Sequence, residues 1–386
     1  MKSQPPKTEA VPGMQFPNIP NSGNDLAGPL GPARWDWGKV QKVLVVRLRS
    51  IGDTVLATPS LYALRRFLPH AQIDVLLESW VAPVLDGFEY ANNIITVERG
   101  STSSRARIAQ RLRAARYDVA YNLHGGTTAT LLIRASGAKH RVGFESYQYK
   151  RLLNHLAPPA SELWRMPKTH SVEQQLALLG WTGIPVADRP PTHLAVTLQA
   201  RDSIAAKLSA AGFAPGTRLA LLHPAAAFDT KQWATENFAR VAEFLSEKGI
   251  TPVGVVGPKE TDVLRELQRH STVPIHGFAD LTLPEVTALA ARSRIFVGND
   301  SGIAHMAAAV NTPSVVIFGS SNVHHWRPWS EAVSEIVRED MPCAPCPGYT
   351  CGEFDEPQCI RRVTVEKVIS ACERVLRATK DVTGNR

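Results

Sequence analysis

The sequence predicts an α/β protein made of two successive units of alternating strands and helices that face each other across a cleft. Three observations carry that expectation. Short β-branched apolar runs recur, and each ends in a turn that opens a helix, as in Arg294-Ile295-Phe296-Val297-Gly298 followed by Asn299-Asp300-Ser301-Gly302. Runs of that length bounded by turn residues read as buried strands, and strands alternating with helices imply parallel sheets covered on both faces. The alternation stops in the stretch from Pro185 to Pro191 and restarts at Leu219, and 386 residues exceed what one core usually holds.

Composition narrows the class. Hydrophobic residues make up 44% and charged residues 20%, an ordinary globular balance that excludes a largely disordered chain. A net charge of +8 calls for an acidic partner, for which nucleotides, anionic lipid headgroups and nucleic acid all qualify. No apolar run reaches the roughly 20 residues needed to span a bilayer. Met1-Lys2-Ser3-Gln4-Pro5-Pro6 has no apolar stretch behind its lysine, so the chain reads as cytoplasmic. Residues 1–38, rich in Pro, Gly and Asn without periodicity, read as a disordered extension.

The first unit, 39–190, begins with the strand Lys42-Val43-Leu44-Val45-Val46, the turn Arg49-Ser50-Ile51-Gly52-Asp53 and a helix carrying Leu61, Leu64 and Leu68. The turn lacks the G-x-G-x-x-G spacing of a dinucleotide site. Asp53 sits at the mouth of the sheet, where it is either a helix N-cap or a carboxylate facing a bound hydroxyl. Strands follow at Ile73–Leu77, Asn93–Val97 and Tyr117–Leu123, the last ending in His124-Gly125-Gly126. His124 is either a substrate contact or a structural loop histidine. Residues 139–168 lose periodicity and mix basic residues, Arg141 among them, with Phe144, Tyr147, Tyr149 and Trp164. That mixture suits a phosphorylated, sugar-bearing headgroup or nucleic acid, with a plain solvated surface as the alternative.

The second unit, 191–386, restarts with Leu219–Pro224 and a loop holding Lys231 and Trp233. Lys231 can neutralise a diphosphate as a point charge. The next strand ends at Gly257-Pro258, with Glu260 placed to accept hydrogen bonds from sugar hydroxyls or to stabilise a helix start. Gly298 to Ala309 then reads as strand, turn and helix at the carboxyl edge of a parallel sheet, where such sheets bind ligands. The helix start at Ser301 and Gly302 offers unpaired N–H groups and a positive dipole end to an anion, and His305 shares a helix face with Ser301. The bland alternative is an ordinary cap and a core histidine. Cys343, Cys346, Cys351 and Cys359, within the segment 343–359, read as a structural zinc site or, less readily, an iron–sulfur site; reduced thiols are the alternative.

In order and spacing, four of these stretches together resemble glycosyltransferase family 9, the ADP-heptose:lipopolysaccharide heptosyltransferases. They are Arg49-Ser50-Ile51-Gly52-Asp53 with Thr58-Pro59; His223-Pro224 with Lys231 and Trp233; Gly257-Pro258 with Glu260; and Gly298-Asn299-Asp300-Ser301-Gly302 with His305. The resemblance implies a GT-B fold of two Rossmann-like domains, with the nucleotide-sugar in the second, the acceptor in the first, and inversion with no cofactor required. It implies Asp53 as general base, with Lys231 and the 300–302 helix start stabilising the ADP leaving group. Glu260, Asp300, Ser301, Gly302 and His305 would bind ADP-heptose, while Gly52, His124 and Arg141 would line the side of a phosphorylated lipid A-core acceptor. Peripheral, salt-sensitive contact with the inner membrane is then expected, and nucleic acid is not. The chain departs from the family at Asn122-Leu123, where Asp-Leu is common, at Thr127-Thr128, which lacks a nearby basic residue, and in its Pro-rich start. A sugar-nucleotide epimerase leaves the basic–aromatic stretch unexplained, and a nucleic-acid-binding or metal-sensing protein leaves Asp53, Lys231 and His305 without roles.

Overall fold

The computed structural model describes residues 28–346 and 349–383. The first sheet contains β1 (Lys42–Val46), β2 (Gln72–Glu78), β3 (Asn93–Val97), β4 (Val119–Asn122), β5 (His140–Phe144) and β6 (His155–Ala157), in the order β3-β2-β1-β4-β5-β6. The second contains β7 (Leu219–His223), β8 (Thr251–Val255), β9 (His276–Phe278), β10 (Ile295–Asn299), β11 (Ser314–Phe318) and β12 (Ser334–Arg338), in the order β12-β11-β10-β7-β8-β9. All pairings are parallel. Both sheets therefore share one topology, which reverses direction between β1 and β4 and between β7 and β10. Open α/β sheets bind ligands outside the carboxyl ends of their strands at that reversal.

The near-continuous burial of the central strands follows from their Val/Ile/Leu content, since helices cover both faces. On one face of the first sheet Leu44, Val46 and Ala120 meet the helices Thr102–Ala115 and Thr127–Ser136 through Ile108, Leu112, Leu132 and Ile133. On the other, Val43 and Val45 share a core with Leu61, Leu64, Leu176 and Leu179 of the helices Thr58–Phe67 and Ser171–Trp181. The final helix, Val365–Thr383, closes the second sheet through Val368, Ala371, Cys372 and Val375.

Two expectations change. Most of the 1–38 extension lies outside the described residues, but its last part packs against the first unit. Leu30 donates to the Gly180 carbonyl, the Trp37 indole donates to the Thr182 carbonyl at 3.0 Å, and Trp35 stacks on His140 with ring centroids 4.3 Å apart. Burying two indoles outweighs the disorder that a Pro/Gly composition favours. The 139–168 stretch, though aperiodic in sequence and so expected to be a long loop, contains β5, β6 and the helix Ala160–Trp164. Strands this short, β5 opening with His140 and Arg141 and the edge strand β6 with His155, carry too little periodicity to be seen in sequence.

Between Trp181 and Leu198 the chain crosses from one layer to the other, and the two units touch along that seam. Leu194 donates to the Ala309 carbonyl, Thr192 to that of Trp329, and His170 bonds the Arg327 carbonyl at 2.8 Å.

Candidate active site

Past the carboxyl end of β1, the short helix Ile51–Val55 starts at Ser50, and Asp53 stands at its third position. Asp53 is thus not the N-cap. One carboxylate oxygen accepts from the Ser50 N–H at 3.1 Å and the Ser50 hydroxyl at 2.9 Å, and the other is paired with the Arg47 guanidinium. Arg47 is itself anchored to the Leu123 carbonyl at the end of β4. Burial pushes the Asp53 carboxyl up, but Arg47, the two Ser50 donors and His305 together overcome it and hold the group below the usual carboxylate range. Asp53 is accordingly an ionised carboxylate at neutral pH.

Across the sheet reversal, Asn122 ends β4 buried and organises the turn behind it: its side-chain oxygen accepts from the Gly125 N–H at 2.8 Å, and its amide donates to Thr130. The amide at this departure from the family pattern is therefore built into the turn. His124 lies half-buried with its Nδ1 enclosed and unpartnered. Its pKa falls to about 4, chiefly through burial and then through the nearby cations Arg47 and Arg49. It is a neutral ring at the working pH.

The second unit supplies the facing wall. Lys231 Nζ reaches Asp300 Oδ2 at 2.8 Å, and Asp300 is only 6% exposed. The loop that carries Lys231 is pinned to the end of β10, because the Trp233 N–H donates to Asn299 Oδ1 at 3.1 Å and Asn299 donates to the Pro224 carbonyl at 2.8 Å. Trp233 itself is buried, its indole donating to the Val363 carbonyl. Ser301 is the N-cap residue of the helix Gly302–Ala309, yet its hydroxyl makes no capping bond and is buried without a partner. The leading N–H groups of that helix point out of its start, as they do in any helix. Glu260, at the mouth of β8, accepts from the Gly257 N–H at 2.8 Å through one oxygen.

The two walls meet at two glycines. A Cβ on Gly52 would lie 2.7 Å from His305 Cδ2, and one on Gly302 would lie 2.8 Å from Ile51 Cβ. Such distances require that neither position carry a side chain, so that two helix starts from different units can approach. His305 is buried there with Nδ1 unpartnered, feeling the carboxylates of both Asp300 and Asp53 as well as Lys231. Burial dominates and keeps the imidazole neutral. Two buried polar atoms, Ser301 Oγ and His305 Nδ1, thus lack partners at one point between the units, which is where a polar ligand would satisfy them.

The fold therefore gathers Gly52, Asp53, His124, Lys231, Glu260, Asp300, Ser301, Gly302 and His305 at the carboxyl ends of the central strands. Arg141 is the exception. It stands near the start of β5, at the opposite end of its strand, and its guanidinium bonds the carbonyls of Leu152 and Ala138. Charge alone suggested a ligand contact, but the strand direction points that residue away from the cleft.

The sequence reading missed the rim beside Asp53. Glu78, the last residue of β2, is buried; it accepts from the Trp80 indole at 2.7 Å and lies 3.4 Å from Arg49. Trp80 keeps 45% of its surface exposed. Both residues lie more than 20 positions from Asp53 in sequence, and only an exposed-side Trp after a strand end hinted at them.

The zinc expectation is not supported. All five cysteines are free thiols, and among the described residues no group of three or more His, Cys, Asp or Glu is placed to hold a metal ion. Cys359 is buried on the short helix Gln358–Arg361 with Sγ 4.0 Å from the Thr230 carbonyl, while the other three of the 343–359 set lie half-buried on the preceding loop. Burial first, and then the thiols of Cys346, Cys343 and Cys351, push the Cys359 pKa up.

The chain is similar to known proteins in sequence and in fold. The family described as Glycosyltransferase family 9 (heptosyltransferase) matches residues 105–354. The chain is 28% identical over 345 residues to lipopolysaccharide heptosyltransferase 3 of Escherichia coli strain K12, spanning 85% of this chain and 96% of that protein. Among solved structures, a glycosyl transferase family 9 protein from Veillonella parvula superposes with a TM-score of 0.79 at 20% identity, covering 88% of this chain and 98% of that one. The E. coli ADP-heptose LPS heptosyltransferase II superposes with a TM-score of 0.73 at 23% identity, covering 88% of this chain and all of the other (100%). These two likenesses establish the GT-B fold, two Rossmann-like units across a cleft.

Proposed function

Because the chain belongs to glycosyltransferase family 9 (heptosyltransferase), we propose that it transfers a heptose from ADP-heptose to the lipid A-linked inner core of lipopolysaccharide, with inversion at the anomeric carbon. Residues 39–190 hold the acceptor in this reading and residues 191–386 hold the nucleotide-sugar. The observation that carries it is the facing of an ionised, unprotonated carboxylate, Asp53, against the Lys231–Asp300 pair and an uncapped helix start, with buried unpartnered polar atoms between them.

In the proposed reaction the acceptor hydroxyl gives its proton to Asp53 as its oxygen bonds the anomeric carbon. The bond from that carbon to the ADP oxygen breaks, and the electron pair leaves with the diphosphate. Lys231 and the N–H groups of the helix start at Ser301 and Gly302 face that developing charge as fixed donors, while the Asp300 N–H is already spent on the Ile317 carbonyl. Glu260 accepts from sugar or ribose hydroxyls, Ser301 Oγ and His305 Nδ1 complete the donor pocket, and Gly52 admits the two walls to contact. Calorimetric titration with ADP and with UDP tests the donor assignment. ADP should bind at least tenfold more tightly; preference for UDP overturns it.

Arg47 sets the base. With Arg47→Met the burial of Asp53 is left without its main opposing charge, so its carboxyl pKa rises. Activity that depends on ionised Asp53 is lost as pH falls through that pKa, so the acid limb of kcat/KM should move to higher pH. An unmoved limb would show that Arg47 does not tune the base.

On the acceptor side, His124 and the rim of Arg49, Glu78 and Trp80 suit an anionic sugar, with the exposed indole as a platform and the guanidinium beside it. Loss of that apolar face costs roughly 1–2 kcal/mol of binding, about tenfold. Trp80→Ala should therefore raise the acceptor KM about tenfold with the ADP affinity unchanged, and Trp80→Phe should restore most of it. Equal acceptor KM in all three proteins would remove Trp80 from the site.

A further inference from the structure

We propose that the outer face of the first unit, formed by the helices Thr102–Ala115 and Thr127–Ser136 and the turn at Lys150–Leu152, is a docking surface for an anionic phospholipid bilayer. The two helices lie side by side on one face of the sheet and bury Ile108, Leu112, Leu132 and Ile133 inward, so their remaining sides form one outward layer. From Arg99 through Tyr117 the chain has six arginines and no acidic residue. Arg107, Arg111 and Arg113 are exposed, and among the described residues none of them makes an ion pair. Arg134 extends the same charge onto the second helix, and Lys150 and Arg151 extend it onto the turn that packs against that helix. The exposed acids nearby are Glu98, which accepts from the Ser79 hydroxyl before the first of these helices, and Glu145.

Charge alone would fit any polyanion, but this face also presents large apolar groups to water. Leu131, three positions before Arg134, is 52% exposed, and Tyr149, beside Lys150, is 51% exposed. An ordinary solvated face mixes both signs of charge and hides such side chains. A layer of arginines with a protruding leucine and tyrosine matches an interface where headgroups take the charge and the outer acyl region takes the apolar tips. A nucleic-acid surface has no use for the leucine and would offer a groove with several aromatics. The placement is also productive. The helix Thr127–Ser136 begins directly after His124-Gly125-Gly126 at the cleft, so a substrate held in the bilayer would meet the acceptor side of the site edge-on. This last point rests on the proposed function; the docking surface itself does not.

The test is flotation of the full-length protein with vesicles of phosphatidylcholine alone and of phosphatidylcholine with one third phosphatidylglycerol, at low and high salt. The wild type should float with the anionic vesicles and be released by salt. A basic residue at such a surface contributes about a fivefold factor, so the double variant Arg107→Glu/Arg111→Glu should bind at least tenfold less. Leu131→Ser should also bind less, while Arg265→Glu, exposed on the second unit, should bind as the wild type. ADP titration of each variant checks folding and the donor site separately. Should the arginine variant fail to fold, Lys150→Glu/Arg151→Glu on the turn carries the same test. Absence of wild-type flotation, equal flotation of the folded face variants, or wild-type binding to a DNA oligonucleotide in place of vesicles overturns the proposal.

Discussion

Asp53→Asn is expected to lower kcat for sugar transfer by ~10²–10⁴-fold, which is roughly 3–5 kcal/mol of barrier. The asparagine keeps an oxygen for the Ser50 N–H and a shape close to the carboxylate, so the short helix Ile51–Val55 should persist. It cannot take a proton from a hydroxyl. ADP affinity should stay within about twofold, because the carboxylate is on the wall opposite the proposed diphosphate contacts. Both this variant and the alanine one leave the Arg47 guanidinium, 11% exposed, without its charge partner, and alanine also loses the acceptor for the two Ser50 donors. The paired measurements are single-turnover transfer and ADP calorimetry. Near-normal turnover in the asparagine protein would assign the proton to another group.

Lys231→Ala should act on the other wall and through both binding and rate. A hydrogen bond to a charged group contributes about 1.5–3 kcal/mol, so ADP affinity should fall roughly 10- to 150-fold. The remaining buried carboxylate of Asp300 adds repulsion against a diphosphate, so the larger figure is expected. Turnover at saturating donor should fall by ~10²–10³-fold, as when a fixed donor to a developing anion is removed. Adding Asp300→Asn to Lys231→Ala should recover part of the ADP affinity, because the unpaired charge is then gone. Lys231→Arg should recover little, since a planar fork does not replace a compact ammonium in a loop pinned by Trp233 and Asn299. Wild-type ADP affinity and rate in Lys231→Ala would remove the residue from the leaving-group role.

Much of the fold was legible because its signals are local. A short apolar run, a turn and a helix describe both β1 with its following turn and β10 with the helix Gly302–Ala309, and each half of the chain repeats the pattern. Local rules also placed Asp53, Lys231, Glu260 and Asp300 after strand ends, where a parallel sheet opens its ligand crevice. They failed where the signal was short or spread along the chain. A three-residue edge strand such as β6 has no measurable period, and Arg141 was misread because one strand's starting residue, not its charge, decides which end of the sheet it serves. Cysteine spacing suggested a metal array, yet spacing does not fix where four thiols point.

By itself, then, the sequence determined the two parallel α/β units, the order of their strand-end turns, and the helix start at Ser301 and Gly302 that favours an anion. Those features depend on hydrogen bonds and side-chain periodicity within about ten residues. Only the tertiary structure decided that Arg47 holds Asp53, that Lys231 pairs with Asp300, that Glu78 fixes Trp80 beside Arg49, and that Gly52 meets His305 between the units. Most of these pairs are separated in sequence and meet because the sheets bring their strand ends together. Even Arg47 and Asp53, six residues apart, depend on the end of β4, where Leu123 anchors the guanidinium.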